Sequence, residues 1–352
     1  MTEGMAQRAR TPDAPLLTIA IPTYNRADYL DLCLAHVCSQ LPGDGSVEIL
    51  VSNNASTDTT DAVVRKYLAE GYPIRSVVNE RNIGPDGNFL QCFRMAAGKY
   101  FLNFGDDDIL LEGALARMLT VLRGSEYGVV FLNSYGFLQN FEAERPAGAV
   151  PGYKVYDDIL TFLKQVSYFL TFTSANVVNR SLVDPSLDMQ PFLDTNLVQL
   201  GWTFSALFAA QKNAYISDYV VAARLYNSGG YALCQVFGHN FNKTFEIFVR
   251  RGIDPRYFEA INERLLTTYF PAQITRLRNN LIRLKPENYF RSLYPLFRGY
   301  PRFWVFTVPA IYLPARVAYF FFWLAGSIRK LRLRIRSRRA YCPRPSGYRD
   351  KR

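Results

Sequence analysis

Tyr100-Phe-Leu-Asn-Phe-Gly-Asp-Asp-Asp108 is the stretch on which the reading of the fold turns. Its aromatic and apolar start predicts a strand over 100–104, which a glycine and three consecutive aspartates then stop. The same succession of apolar run and polar cluster recurs upstream. Leu17-Thr-Ile-Ala-Ile21 leads into Pro22-Thr-Tyr-Asn-Arg26, Val47-Glu-Ile-Leu-Val51 into Ser52-Asn-Asn54, and Ile74–Val78 into Asn82-Ile-Gly-Pro-Asp-Gly87. Between these runs the period changes. Leu30, Leu34, Val37 and Leu41 recur at helical spacing, Ser56-Thr-Asp58 offers N-cap chemistry to a helix ending near Glu70, and a third helix runs to Ala97. A further helix over 112–122 leads to a fifth strand over 128–133. Strands alternating with helices of about 10–15 residues imply an α/β fold, a mostly parallel sheet flanked by helices. Ligands of such sheets bind beyond the carboxyl ends of the strands, where the four polar clusters make one crevice. No G-x-G-x-x-G follows the first strand and no Walker A motif occurs, so neither dinucleotide nor P-loop chemistry is indicated.

Three adjacent aspartates at a strand end repel one another. At ~4 Å like charges cost about 1 kcal/mol in water and several-fold more in a partly buried cleft. A divalent cation with a preference for hard oxygen ligands, Mg²⁺ or Mn²⁺, relieves that cost; the alternative is an acidic turn that caps the next helix.

Composition narrows the classes. A chain of 352 residues with 49% hydrophobic and 20% charged side chains is globular rather than disordered. Its formal charge of +11 is local: Arg329 to Arg352 contains eleven basic residues and the single acid Asp350, which leaves +1 for the preceding 328 residues. A nucleic-acid-binding globular body therefore loses its main support. Cys33, Cys38, Cys92, Cys234 and Cys342 are scattered with no C-x-x-C pair, which argues against a zinc site and a disulfide framework. Residues 1–15 are polar and read as a flexible N-terminus without a signal-peptide core.

The C-terminal segment is of another kind. From Phe303 to Ile328 the only charge is Arg316, and aromatics are dense from Phe303 to Trp323. Its length suffices to span a bilayer, but Pro309, Pro314, Arg316 and the basic tail oppose spanning. The expectation is a kinked helical pair lying in the membrane interface, with the tail on anionic lipid. A C-terminal helical hairpin packed within the protein is the soluble alternative.

Taken together, Ile19-Ala-Ile-Pro-Thr-Tyr-Asn-Arg26, Glu48-Ile-Leu-Val-Ser-Asn-Asn-Ala-Ser-Thr-Asp58, Asn82-Ile-Gly84 and Phe104-Gly-Asp-Asp-Asp-Ile-Leu110 resemble the family-2 glycosyltransferases of the GT-A fold. Four motifs in order make the resemblance specific over 16–137. It continues loosely to Gly229-Gly-Tyr-Ala-Leu-Cys-Gln-Val-Phe237, which is similar to the abequosyltransferase-like branch that builds bacterial surface polysaccharides. The resemblance implies a nucleotide site made by Pro22, Thr23, Tyr24, Arg26, Asn53, Asn82, Gly84, Asn88 and Asp106, with Asp106 approaching the ribose. It implies Mn²⁺ or Mg²⁺ on Asp107 and Asp108. Where the family usually has an aspartate facing the pyrimidine, this chain has Asn53, whose amide both donates and accepts and so leaves the base open. The family's Glu-Asp pair, which supplies the general base, is missing. Asp194 in Pro191-Phe-Leu-Asp194 is the candidate, Asp188 a second, and each is alternatively a capping acid. His239 is read as a base, a diphosphate contact or a structural group, Trp202 as an acceptor platform or core, and Gly229-Gly230 as a turn.

The expected organisation is a catalytic domain over 16–230, divided into a donor half (16–137) and an acceptor half (138–230). A helical region (231–300) and the aromatic, polybasic segment (301–352) follow. The expected activity is inverting transfer of a sugar from a nucleoside-diphosphate donor to a lipid-linked glycan, at the cytoplasmic face of the bacterial inner membrane, peripheral or monotopic. The contact with anionic membrane runs through 303–352, and no nucleic acid takes part. The rival is a catalytically idle nucleotide-sugar-binding scaffold of a polysaccharide assembly complex.

Overall fold

A computed structural model describes residues 14–225 and 230–318. By compactness the chain divides into two units, 1–262 and 263–352. The first unit opens with the predicted alternation: β1 (Leu17–Thr23), α1 (Ala27–Cys38), β2 (Val47–Asn53), α2 (Thr60–Ala69), β3 (Ile74–Val78), α3 (Gly84–Met95) and β4 (Tyr100–Asn103). β3, β2, β1 and β4 lie side by side in that order, all parallel. β1 and β2 run past their apolar cores to Thr23 and Asn53, which are still register partners. The backbone ladder continues regardless of side-chain polarity and carries the polar residues to the sheet edge.

Beyond β4 come β5 (Ile109–Leu110), α4 (Ala114–Gly124), β6 (Val129–Phe137), β7 (Tyr153–Tyr156), α5 (Ile159–Val166), β8 (Asn176–Asn179), α6 (Gln199–Ala209) and β9 (Asn213–Arg224). β8 inserts antiparallel between β4 and β6, β9 runs parallel to β6, and β5 and β7 each pair antiparallel with β9. Six described strands (β1, β2, β3, β4, β6, β9) therefore point one way and three the other, so the sheet is mostly parallel.

Leu30, Leu34 and Val37 of α1 are fully buried, as their spacing predicts. α6 is buried from Gln199 through Leu207, a helix enclosed almost all round. Its Trp202 stacks on Phe93 of α3 at 4.7 Å and meets Phe101 of β4 edge-on. Trp202 is therefore core, not an acceptor platform. Cys33 and Cys38 are buried and free. The unit closes with α7 (Phe241–Arg250) and α8 (Arg256–Arg264), at whose end the division falls.

The second unit holds a π-helical turn at Leu265–Tyr269, α9 (Phe270–Arg278), α10 (Tyr289–Phe297), a second π-helical turn at Phe303–Thr307 and α11 (Val308–Tyr312). Leu266, Phe270, Ile274, Leu293, Phe297, Phe303 and Ala310 make its core. Thr307 donates to the Leu266 carbonyl at 2.8 Å and Arg278 to that of Ala310 at 2.7 Å, so one side of 303–312 is packed. Pro309 sits in the first turn of α11, directly after the π-helical turn, and does not end the helical run. The helix instead ends at Leu313, held extended (ψ 151°) before Pro314. Among the described residues no helix is long and apolar enough to cross a membrane. The basic tail and the aromatics from Tyr319 onward, like Gly229, lie outside the described residues.

Gly128, at the entrance to β6, is a close-approach position. A Cβ there would collide with the Ala206 carbonyl oxygen and the Ala210 methyl group at the end of α6. Gly128→Ala is expected to destabilise the first unit by about 1–3 kcal/mol. Urea denaturation followed by tryptophan fluorescence measures it, and an unchanged midpoint would show that α6 does not bear on β6 in this way.

Candidate functional site

In the sheet order β3-β2-β1-β4 the chain turns from one side of β1 to the other. The gap between the carboxyl ends of β1 and β4 is thus the topological switch point. A cavity of about 710 Å³ opens there. Pro22, Thr23, Tyr24 and Arg26 line it from the end of β1, Asn54, Asn82 and Asn88 from β2 and α3, and Gly105 to Asp108 from the end of β4. Thr171 to Thr173, Asn196, Leu197, Gln199 and Arg224 face it from the second half of the unit.

The aspartate triplet is split by its partners. Arg26, the residue before α1, reaches Asp106 at 3.0 Å and Asp107 at 3.1 Å. Asp108 turns away: it accepts from the Ser174 hydroxyl at 2.5 Å and from the backbone N–H of Arg224 at 3.0 Å. Burial pushes Asp106 up to about 6, against the pull of Arg26, and burial together with the neighbouring Asp107 charge raises Asp108. Three carboxylates are tolerated here because each has found a cation or a donor.

An amide network fixes the β2 edge. Asn88 accepts from the Ser52 hydroxyl at 2.6 Å and donates to the Ser52 carbonyl at 3.0 Å. Asn54 donates to Asn82 at 2.9 Å and accepts from the N–H of Ile83 at 3.0 Å. Asn82 also accepts from the N–H of Gly84, which has the left-handed φ of +79° that opens α3. Asn53 is buried, with its side-chain carbonyl accepting from the N–H of Ser56 at 2.9 Å. Neither Asn53 nor Gly84 is among the described residues that line the cavity.

Asp86, in the first turn of α3, also lines the cavity and accepts from the N–H of Asn196 at 2.8 Å. Its pKa is raised by burial, opposed by the N–H groups of Asn196, Thr195 and Val198. The loop it holds carries two non-glycine residues in left-handed conformation, Asp194 (φ 61°) and Asn196 (φ 59°). Asp194 is exposed and does not itself line the cavity, although Asn196 and Leu197 do. Asp188 is exposed and accepts from the N–H of Gln190 at 2.9 Å, the capping alternative. His239 lies in a π-helical turn (Gln235–Asn240) and is not among the described lining residues.

Sequence reasoning placed Asn54 in the polar crevice without giving it a role, and missed Asp86, Ser174 and Arg224 as parts of the site. Arg224 carried a signal: it is the lone charge ending the apolar run Tyr219-Val-Val-Ala-Ala-Arg224, like the other strand-end clusters. Asp86 lay inside a turn already explained by its glycines. A divalent cation fits this chemistry in part. Asp106 and Asp107 offer hard oxygens to the cavity, now balanced by Arg26, whereas both Asp108 oxygens are engaged within the protein. No group of three or more His, Cys, Asp or Glu side chains is placed to hold an ion among the described residues.

The family model of Glycosyl transferase family 2 matches residues 18–185. Abequosyltransferase RfbV of Salmonella typhimurium is 39% identical over 108 residues, 30% of this chain and 32% of that protein. The GalNAc(5)-diNAcBac-PP-undecaprenol beta-1,3-glucosyltransferase of Campylobacter jejuni is 32% identical over 106 residues, 30% of this chain and 34% of that protein. The chain thus spans about a third of the length of these curated relatives. The crystal structure of S. aureus TarS 1-349 in complex with UDP superposes with a TM-score of 0.59 at 16% identity, covering 86% of this chain and 87% of that one. The fold is GT-A-like, as the resemblance implied.

The raised Asp106 pKa has a consequence for the metal-free protein. The folded state holds this proton more tightly than the unfolded chain, so the contribution is full below about pH 4 and is lost as pH rises through about 6. Asp106→Asn should remove that loss, up to about 3 kcal/mol between pH 4 and 7. Urea titrations of both proteins in chelator test this, and equal pH slopes would refute it.

Proposed function

Because residues 18–185 match the family model of Glycosyl transferase family 2, we propose that the protein transfers a sugar from a nucleoside-diphosphate donor to a lipid-linked glycan acceptor in bacterial surface-polysaccharide synthesis. The observation that carries this reading is the cavity at the β1–β4 switch point, with the acidic triplet on one wall and a strained, carboxylate-bearing loop beside the other.

The chemistry proposed is direct displacement with inversion. The acceptor hydroxyl attacks the anomeric carbon, its proton passes to Asp194, and the bond to the diphosphate oxygen breaks with the electron pair leaving on that oxygen. Asp194 is favoured by its backbone: left-handed non-glycine residues persist only where the surroundings enforce them, and Asp86 enforces this loop. Pro22, Thr23, Tyr24, Arg26, Asn82, Asn88 and Asp106 form the nucleotide wall, with Asn53 and Gly84 behind it. Asp107, with Asp106 beside it, is assigned to hold Mn²⁺ or Mg²⁺, which supplies positive charge to the departing diphosphate. With so few protein ligands, phosphate oxygens and water would complete the shell, as is usual for Mg²⁺. Asp108, with both oxygens engaged, is assigned to hold the turn after β4 rather than to ligate.

A lipid-linked acceptor calls for a membrane surface, and the second unit offers one. Trp304, Val305, Tyr312, Leu313 and Val317 are exposed on it, with Arg298, Arg302 and Arg316 close in sequence and the basic tail following. Aromatic and aliphatic side chains beside arginines are what an anionic interface takes up.

Three measurements test these assignments. Asp107→Asn should lower sugar transfer by about 10²-fold or more. Asp194→Asn should lower it by about 10²–10⁴-fold without weakening donor binding. Transfer is followed as nucleotide release with a panel of UDP-, CDP-, dTDP- and GDP-sugars, Mn²⁺ and lipid acceptors; full activity of either variant removes its role, and an inert wild type favours the idle scaffold. Replacing Trp304, Val305 and Tyr312 by serine should reduce flotation with phosphatidylglycerol-containing liposomes, and unchanged flotation would exclude this face.

A further inference from the structure

Among the described residues that line the cavity only two are cationic, Arg26 and Arg224. Arg26 is engaged with Asp106 and Asp107. Arg224, the last residue of β9, makes no ion pair with any described residue. We propose that Arg224 is the protein's own grip on the diphosphate of the donor, holding it as the sugar departs. This rests on the glycosyltransferase reading of the same cavity and adds a residue to it.

The first support is how the side chain is held. Its guanidinium carbon lies 4.7 Å from the centroid of the Phe137 ring and 5.1 Å from that of Tyr29. Phe137 is the register partner of Arg224 on β6 and is fully buried, while Tyr29 stands in the first turn of α1. Contacts with two rings hold a planar cation in place while leaving its edge free for hydrogen bonds. Nε is buried without a hydrogen-bond partner, so the donors that remain are the terminal N–H groups.

The second support is what Arg224 does not do. The buried carboxylate of Asp108 is next to it in space, yet binds the Arg224 main chain and the Ser174 hydroxyl. A guanidinium present only to neutralise that acid would pair with it. Instead the main chain anchors Arg224 to the triplet and its side chain keeps its charge for another anion. A wall with Asp86, Asp106, Asp107 and Asp108 repels a diphosphate, so a cation not already paired is needed to receive one. As the bond to the anomeric carbon breaks, the electron pair and the added negative charge stay on the diphosphate oxygens, where a fork of two N–H donors strengthens its hold. No proton leaves the arginine.

The test measures affinity by calorimetry, in Mn²⁺, for UDP, CDP, dTDP and GDP and for the matching nucleosides. Wild type, Arg224→Met and Arg224→Lys are compared. Arg224→Met should weaken the preferred nucleoside diphosphate by about 10- to 100-fold and leave the nucleoside unchanged, with Arg224→Lys in between. Equal loss for nucleoside and diphosphate would mark Arg224 as structural and overturn the proposal. Unchanged diphosphate affinity in Arg224→Met would overturn it while leaving the glycosyltransferase reading intact. A wild type that binds no nucleoside diphosphate would overturn both. Should the variants not fold, phenylglyoxal labelling of wild type decides: saturating diphosphate protects Arg224 on this proposal, and unchanged labelling refutes it.

Discussion

A row of three carboxylates cannot be packed at the end of a buried strand unless each is given its own compensation, and much of this site answers to that constraint. Asp106 and Asp107 are met by Arg26, and Asp108 by a hydroxyl and a main-chain N–H. The compensators come from three directions: the start of α1, the segment before β8, and the end of β9. Satisfying the triplet therefore ties the parallel half of the sheet to its mixed half. Removing one partner would leave a buried charge unpaired, which costs far more than the pair contributes.

The same economy governs the neighbouring loops, where side-chain oxygens rather than helix propensity settle the ends of elements. Asp58 accepts from the N–H of Ala27 at 3.1 Å and so caps α1 from a different loop. Asp86 receives the N–H of Asn196 just before α6, and Asn54 receives that of Ile83 just before α3. Asp58 thus caps α1 from a distance, and the other two hold the chain where it enters α6 and α3, so the position of each helix depends on a residue distant in sequence. That coupling suits a site whose walls must keep a fixed spacing around a ligand.

Period and punctuation made the donor half legible. β3 was read to the residue, and the four polar clusters fall at strand ends or in the turns just after them, because apolar runs ending in Asn, Asp and Gly admit few other structures. The second half was less legible for physical reasons. β5 has two residues and β8 four, too short for a period, and their antiparallel partners are set by contacts far away in sequence. Trp202 illustrates the opposite ambiguity: an aromatic on an apolar helix looks alike whether it stacks on a sugar or on Phe93, and only its neighbours decide. Asn53 was read toward the ligand, yet its carbonyl caps a turn, because a buried amide first satisfies the nearest backbone donor. Arg224 showed in the sequence only as a lone charge ending an apolar run, and the role proposed for it was not legible because it depends on a parallel pairing that brings Phe137 beside it.

Charge placement separates two tasks that net charge alone would merge. The body preceding Arg329 is nearly neutral, so long-range attraction brings no polyanion to the cavity, whose described wall holds four aspartates and two arginines. Recognition of an anion there has to be short-ranged: a guanidinium fixed by two rings, and a cation at Asp107 on the reading given above. The excess positive charge sits instead at the far end of the sequence, behind an aromatic segment whose exposed residues would be costly in water. Had those charges been spread over the first unit, nucleic acids and free phosphates would compete for its cavity. Concentrating them beyond residue 328 leaves the preceding residues nearly neutral and, on the function proposed above, reserves the positive charge for an anionic surface.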